Sequence, residues 1–337
     1  MEVTMPKFQR QAVRVYDDVG TGHKVDVYTP PVGLFSSDKN QTHPVIFYLH
    51  GGAWHIGNKK NAQTPCMALA EKGYVTVAAS YSLSSLSHPQ MEVVFGVVII
   101  LMLTMALMCV SVTQMMLVFL LLVIVISFFL ILWMFVPHER VQHPDHILDV
   151  AHAFRWTVDH IHEYGGDPNR IYVMGHSAGG HLAALLSTNF HYLDVVGVKP
   201  SRVKGCIAVS GVYSDQRMKE SSLGQQLLIN AFGLREHYYD AFPVYNVTDN
   251  TPPFLLLNAG MDFSLKRHTF DMHYVLRASG VYVETEYFEQ KSHWNIMDDW
   301  GQKHNPVCQK ILAFLKSAEE YHMWLQTEKK GEDKKTR

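Results

Sequence analysis

Gly175-His176-Ser177-Ala178-Gly179 stands between the apolar run Arg170-Ile171-Tyr172-Val173-Met174 and the helix-forming run Gly180-His181-Leu182-Ala183-Ala184-Leu185-Leu186. A G-x-S-x-G sequence in that setting demands a strand, a sharp turn and a helix, because side chains at the flanking positions would clash inside so tight a bend. The turn lifts the hydroxyl above a sheet and sets it at a helix N-terminus, where free N–H groups stabilise negative charge on an oxygen. Alone, the pentapeptide also fits a serine that merely caps the following helix. Its neighbours argue for more.

Val45-Ile46-Phe47-Tyr48-Leu49 reads as a buried strand and ends in His50-Gly51-Gly52-Ala53-Trp54. Residues without bulk at 51 and 52 let backbone N–H groups face a substrate oxygen. Farther on, the apolar run 254–261 delivers an acid, Asp262, at the C-terminal end of a strand, with Asp271 and Asp298 as rival acids. The alternating run 281–288 is followed closely by His293, which competes for the role of base with His268, His273 and His304. The order Ser177, Asp262, His293 is that of the α/β-hydrolases and differs from the orders in chymotrypsin-type and subtilisin-type proteases.

On these motifs the chain resembles an α/β-hydrolase of the esterase/lipase group marked by H-G-G-x-W, which includes carboxylesterases, arylformamidases and isoprenylcysteine methylesterases. The phrases Gly165-Gly166-Asp167-Pro168-Asn169-Arg170-Ile171 and His50-Gly51-Gly52-Ala53-Trp54-His55-Ile56-Gly57 are also similar to that group, and the resemblance spans residues 10–90 and 140–320. It implies Ser177 as nucleophile, His293 and Asp262 as its partners, and Gly51, Gly52 and Ala178 as oxyanion-hole donors. It implies no cofactor and no metal. The chemistry suits the residue types: imidazole, with a pKa of about 6.5, takes the serine proton during attack, and a carboxylate holds its tautomer. His50 and His176 read as structural hydrogen-bonders.

A second feature interrupts this frame. Residues 93–137 carry no charged side chain and are mostly Val, Ile, Leu, Met and Phe. Runs above about 18 apolar residues read as membrane spans. The polar cluster Ser111-Val112-Thr113-Gln114 suggests two spans, 93–110 and 115–136, with Trp133 as an interfacial anchor. An even number of crossings, or a re-entrant hairpin, is required, because the strand before the block and the strand after it must share one sheet. A water-shielded helical pair in a cap, or a sequence from a retained intron, are the alternatives. The expected partition is therefore a hydrolase domain over 1–90 and 138–326, an inserted transmembrane hairpin over 91–137, and a charged tail over 327–337.

The remaining pattern is doubly wound α/β with a mostly parallel sheet. Residues 13–15 and 24–28 form an opening antiparallel pair; strands follow at 45–49, 74–80, 170–174, 204–210, 253–258 and 281–288. Helices are expected at 62–72, 146–163, 179–188, 265–279 and 306–326, with 213–250 irregular and adjoining the substrate pocket. Tyr213, Phe232 and Phe242 in that stretch suit core packing better than pocket lining.

A formal net charge of −2 and the lack of a basic helix argue against nucleic acid as a partner. Cys66, Cys109, Cys206 and Cys308 lack metal-like or disulfide-framework spacing, and the clustered His138, His143 and His146 have no carboxylate or cysteine spacing beside them. The N-terminus lacks a signal-peptide pattern. Lys72, Arg140 and Arg155 flank a block whose bend has no Lys or Arg, which places the catalytic domain in the cytosol. The ending Lys334-Lys335-Thr336-Arg337 resembles a dilysine retrieval signal of the endoplasmic reticulum, read by a receptor. The sequons Asn40-Gln41-Thr42 and Asn246-Val247-Thr248 stand against that side. The expected function is a membrane-anchored serine esterase acting on small-molecule or lipid-like esters. Formamide hydrolysis of the arylformamidase type is the alternative chemistry, and a catalytically silent membrane scaffold the alternative class.

Overall fold

Alternation with period two along the apolar strands places successive side chains on opposite faces of a sheet, so each strand must be covered twice. The computed structural model, which describes residues 9–14, 24–31, 42–84, 96, 100, 104, 141–302 and 304–335, shows that arrangement. Eight strands form one sheet: β1 Gln9–Arg14, β2 Lys24–Thr29, β3 His43–Leu49, β4 Val75–Ala79, β5 Gly166–His176, β6 Val203–Val209, β7 Phe254–Met261 and β8 Val283–Ser292. Their order is β1-β2-β4-β3-β5-β6-β7-β8. β1 and β2 are antiparallel, as are β2 and β4, and every later pairing is parallel.

The helices are α1 Gln63–Ala70, α2 Asp145–His160, α3 Ala178–Thr188, α4 His191–Val195, α5 Asp215–Met218, α6 Ser222–Phe232, α7 Leu265–Ala278 and α8 Pro306–Lys335. Val45, Phe47 and Leu49 of β3 share a core with Ile171 and Val173 of β5 and with α2, α3 and α7. Ile46 and Tyr48 face the opposite way, joining Tyr172, Met174, α1 and α8 in a second core. The two cores make a three-layer sandwich. Phe47 and Phe154 meet edge to face at 5.4 Å across the first layer boundary. Helix α2 shows the expected stripe: Ile147, Ala151, Phe154 and, just past its end, Ile161 are fully buried, and Val158 packs partly buried against them.

The chain divides into two compact units, Met1–Leu83 with Gln142–Arg337, and Ser84–Val141. Among the described residues no helix is long and apolar enough to cross a membrane. The expected hairpin over 91–137 lies outside the described residues apart from the helical positions Gly96, Ile100 and Thr104. Two expectations need correction. The stretch 213–250 is not irregular: it contains α5 and α6, the latter capped by the Ser221 hydroxyl, which accepts the Gly224 N–H at 3.0 Å. Gly224 inside the run masks its helical character, since glycine is a poor helix former. The final helix runs to Lys335, so most of the charged segment 327–337 continues a helix instead of trailing from one.

Candidate active site

Chain order reverses direction across the sheet between β3 and β5, which lie side by side although β4 intervenes in sequence. Such a switch point opens a crevice at the carboxyl ends of the strands. His50-Gly51-Gly52 leaves the end of β3, and Ser177 leaves the end of β5, so the two motifs meet in that crevice. Ser177 has φ 55° and ψ −121°, a strained backbone conformation of the kind that clusters at functional sites. Its N–H donates to the Val209 carbonyl at 2.8 Å, which ties the turn to β6 and leaves the next N–H, that of Ala178, at the open helix end. A Cβ on Gly179 would lie 2.2 Å from the Leu49 carbonyl oxygen, so only glycine lets α3 start this close to β3. Gly52 needs glycine for its backbone, with φ +126°, and a Cβ there would lie 1.9 Å from the Ile56 carbonyl oxygen.

The three residues expected to cooperate are brought together. The Ser177 hydroxyl donates to His293 Nε2 at 3.0 Å, and His293 Nδ1–H donates to Asp262 Oδ1 at 2.5 Å. Asp262 follows β7 directly and His293 follows β8 directly, so adjacent parallel strands set their spacing. The second Asp262 oxygen accepts from Ser210 Oγ at 2.6 Å, Asn258 Nδ2 at 2.9 Å and the Ala259 N–H at 3.2 Å. Burial pushes the Asp262 pKa up, but the hydrogen bonds from His293, Ser210 and Asn258 outweigh it and hold the carboxyl below its usual value. The group is therefore ionised where the chemistry needs it.

Three of the rivals are engaged elsewhere. His268 is buried and its Nδ1 accepts the N–H groups of Tyr213 and Ser214, both at 3.2 Å. His273 bonds Thr285 and Asp271 binds Arg217. His176 donates Nε2–H to the His293 carbonyl at 2.9 Å, so the residue before Ser177 fixes the loop that carries His293. Burial, and then the neighbouring His293, lower the His176 pKa to about 3, which keeps it neutral. His50 donates Nδ1–H to the Gly51 carbonyl at 2.8 Å, stacks on Tyr81 at 4.4 Å, and accepts the Tyr81 hydroxyl on its own carbonyl at 2.8 Å. The Tyr81 bond anchors the carbonyl of the His50–Gly51 peptide and the His50 ring anchors that of the Gly51–Gly52 peptide, so the N–H groups of Gly51 and Gly52 point away from the carbonyls held. Trp54 is buried, donates to His181 Nδ1 at 3.3 Å and meets Phe232 edge on at 5.0 Å. Tyr213, Phe232 and Phe242 are fully buried core residues. No group of three or more His, Cys, Asp or Glu side chains suited to a metal occurs among the described residues, and His138 lies outside them.

A family model, BD-FAE, matches residues 25–92 and 127–269. The chain belongs to the BD-FAE family. The match stops where the apolar block begins and leaves 93–126 uncovered. Among curated relatives, the BD-FAE chain is 28% identical to the "Probable carboxylic ester hydrolase LipM" of Mycobacterium tuberculosis over 73% of this chain and 47% of that protein. It is 23% identical to the kynurenine formamidase of Danio rerio over 87% of this chain and 78% of that protein. The chain spans half or less of the first relatives it matches, 47% of LipM and 42% of the esterase LipQ from the same organism. Among solved structures, an esterase of Pyrobaculum calidifontis superposes with a TM-score of 0.62 at 19% identity, covering 92% of this chain and 85% of that one. An esterase of Thermogutta terrifontis gives 0.61 at 19% identity, covering 94% of each chain. Both have the α/β-hydrolase fold, and so does this BD-FAE chain.

Gly51, Gly52, Ser177, Ala178 and His293 line one end of a cavity of about 790 Å³. Val212, which follows β6, Met218 of α5, and Leu223 and Leu227 of α6 also line it. Arg217 is held by Asp271 and Glu220, and Arg267 by the other Glu220 oxygen, so the charged residues along this wall neutralise one another. Sequence reasoning missed Ser210 and Asn258, the donors that set the second Asp262 oxygen. Ser210 has φ 49°, a backbone position no motif announces.

Proposed function

We propose that this protein is a serine hydrolase that cleaves neutral carboxylic esters through an acyl-enzyme. The observation that carries this reading is the continuous line Ser177 Oγ, His293 Nε2, His293 Nδ1, Asp262 Oδ1, with distances of 3.0 and 2.5 Å, opening beneath Gly51 and Gly52. Ser177 Oγ attacks the carbonyl carbon while His293 Nε2 takes its proton. The N–H groups of Gly51, Gly52 and Ala178 hold the oxyanion, each such donor contributing about 3 kcal/mol to the transition state. Collapse breaks the bond to the alcohol oxygen, which leaves with the proton from His293. Water then repeats the sequence against the acyl-serine and regenerates the enzyme. Asp262 stays ionised and holds the imidazole in the tautomer with Nδ1 protonated.

Ser177→Ala tests the assignment. It should abolish covalent labelling by fluorophosphonates and leave the melting temperature near that of the wild type; full labelling of the variant would place the nucleophile elsewhere. A second reading, formamide hydrolysis, is supported by the kynurenine formamidase of Danio rerio, which aligns over 78% of its own length. The same triad serves both bonds, and comparing rates on an aryl acetate and an N-formyl aniline separates them. An intact triad beside a glycine-lined crevice weighs against a silent scaffold.

The uncharged block 93–136 serves, in this reading, as an integral membrane anchor that interrupts a BD-FAE frame. Its uncharged length and its place in the gap of the family match support that role. The flanking cations support a cytosolic catalytic unit. Asn246 Nδ2 already donates to the Tyr239 and Phe242 carbonyls at 2.7 and 2.9 Å, which also favours the cytosolic side over a glycosylated one. Sodium carbonate washing of membranes tests the anchor: release of the full-length protein would refute it.

A further inference from the structure

In the ester reading proposed above, on which this inference rests, the leaving alcohol takes its proton from His293 Nε2, so it must lie on the His293 side of Ser177. Two aromatic rings occupy that side. Phe263, next to Asp262, meets the His293 ring at 5.3 Å and 73°, and Trp294 meets it at 5.1 Å and 89°. The two are 6.1 Å apart at 79°, forming a right-angled corner around the base. Each is 67% exposed, so a bound apolar group would remove apolar ring surface from water. Phe263 and Ser264 have φ of 45° and 65°, so the backbone accepts left-handed strain at the place that turns Phe263 outward. The same two rings line both the 790 Å³ cavity and a shallow hollow of about 350 Å³ completed by Met261 and Ser292.

We propose that Phe263 and Trp294 form the leaving-group subsite and select esters whose alcohol carries a flat aromatic ring, while the acyl chain lies toward Val212, Met218 and Leu227. A planar ring in this corner stacks on one face and meets the other edge on, the two arrangements aromatic pairs favour. A saturated ring of equal size gains burial but no such geometry.

The test uses the full-length protein and three butanoate esters with unactivated alcohols: benzyl, cyclohexylmethyl and ethyl. Wild-type kcat/KM should favour benzyl over cyclohexylmethyl by about tenfold, the scale of one good aromatic pair. Phe263→Leu and Trp294→Leu keep apolar bulk without a ring and should each shrink that ratio several-fold, chiefly through KM, and Trp294→Phe should restore most of it. Because the reading is a ratio, a general loss of rate from a displaced His293 does not mimic the effect. Equal wild-type rates on benzyl and cyclohexylmethyl esters would overturn the subsite without any variant being needed. So would equal rates joined to a jump in activity above the solubility limit, which would assign the exposed rings to a lipid surface. Failure to hydrolyse any of the three, with no fluorophosphonate labelling, would instead refute the parent ester reading.

Discussion

Asp262→Asn is the most informative single perturbation of the site. Three donors, Ser210 Oγ, Asn258 Nδ2 and the Ala259 N–H, converge on one oxygen of Asp262 at 2.6, 2.9 and 3.2 Å. An asparagine must therefore turn its carbonyl oxygen toward them, since its NH2 group there would face three donors. The NH2 then lies against His293 Nδ1, where the carboxylate oxygen accepted at 2.5 Å, and forces the proton onto Nε2. Nε2–H faces Ser177 and cannot take its proton. Wrong-tautomer variants of this kind in a serine protease lose about 10⁴ in kcat, roughly 5 kcal/mol of transition-state stabilisation. The fold should suffer less, because three of the four hydrogen bonds persist; one lost charge-assisted bond costs about 1.5–3 kcal/mol. Steady-state hydrolysis of a short p-nitrophenyl ester, alongside a thermal melt, measures both. A variant that melts within a few degrees of the wild type yet retains more than a tenth of its kcat would refute the tautomer argument.

Gly52→Ala should cost at least 10² in kcat and lower stability together, because φ +126° and a Cβ 1.9 Å from the Ile56 carbonyl force the oxyanion loop to move; normal turnover would show that Gly52 holds no oxyanion. The protein should be acid-labile above the carboxylate range. Burial lowers His176 and His181 to about 3, and His143, His146 and His268 to about 4. Below pH about 6.5 the unfolded chain binds protons that the native state refuses, so each group removes about 1 kcal/mol per pH unit until its native pKa is reached. Melting temperatures should fall steadily from pH 7 to 4.5, and a flat profile would contradict it. Excising 93–136 and joining the remaining ends should yield a protein that turns over water-soluble esters without detergent, since β4 and α2 both lie in the unit that holds the site; loss of folding on excision would show that the block supports the hydrolase core.

The structure and the sequence divide this protein along a physical line. Elements whose cause is local were legible: the elbow at Ser177, the glycine turn after β3, the alternating strands, and the uncharged block 93–137, whose hydropathy needs no partner. The nearness of Asp262 and His293 was legible too, because each follows a strand end and parallel strands bring their ends together. Helix α6 escaped, since Gly224 breaks the local pattern while Leu228, Ala231 and Phe232 secure it by burial. What tertiary structure alone decided are contacts between residues far apart in sequence. Ser210 reaches Asp262 across 52 positions, His176 reaches the His293 carbonyl across 117, and Trp54 reaches His181 across 127. Such bonds leave no periodicity or spacing to read. They exist only because a parallel sheet sets the ends of β3, β5, β6, β7 and β8 in one row, where a donor on one loop meets an acceptor on another.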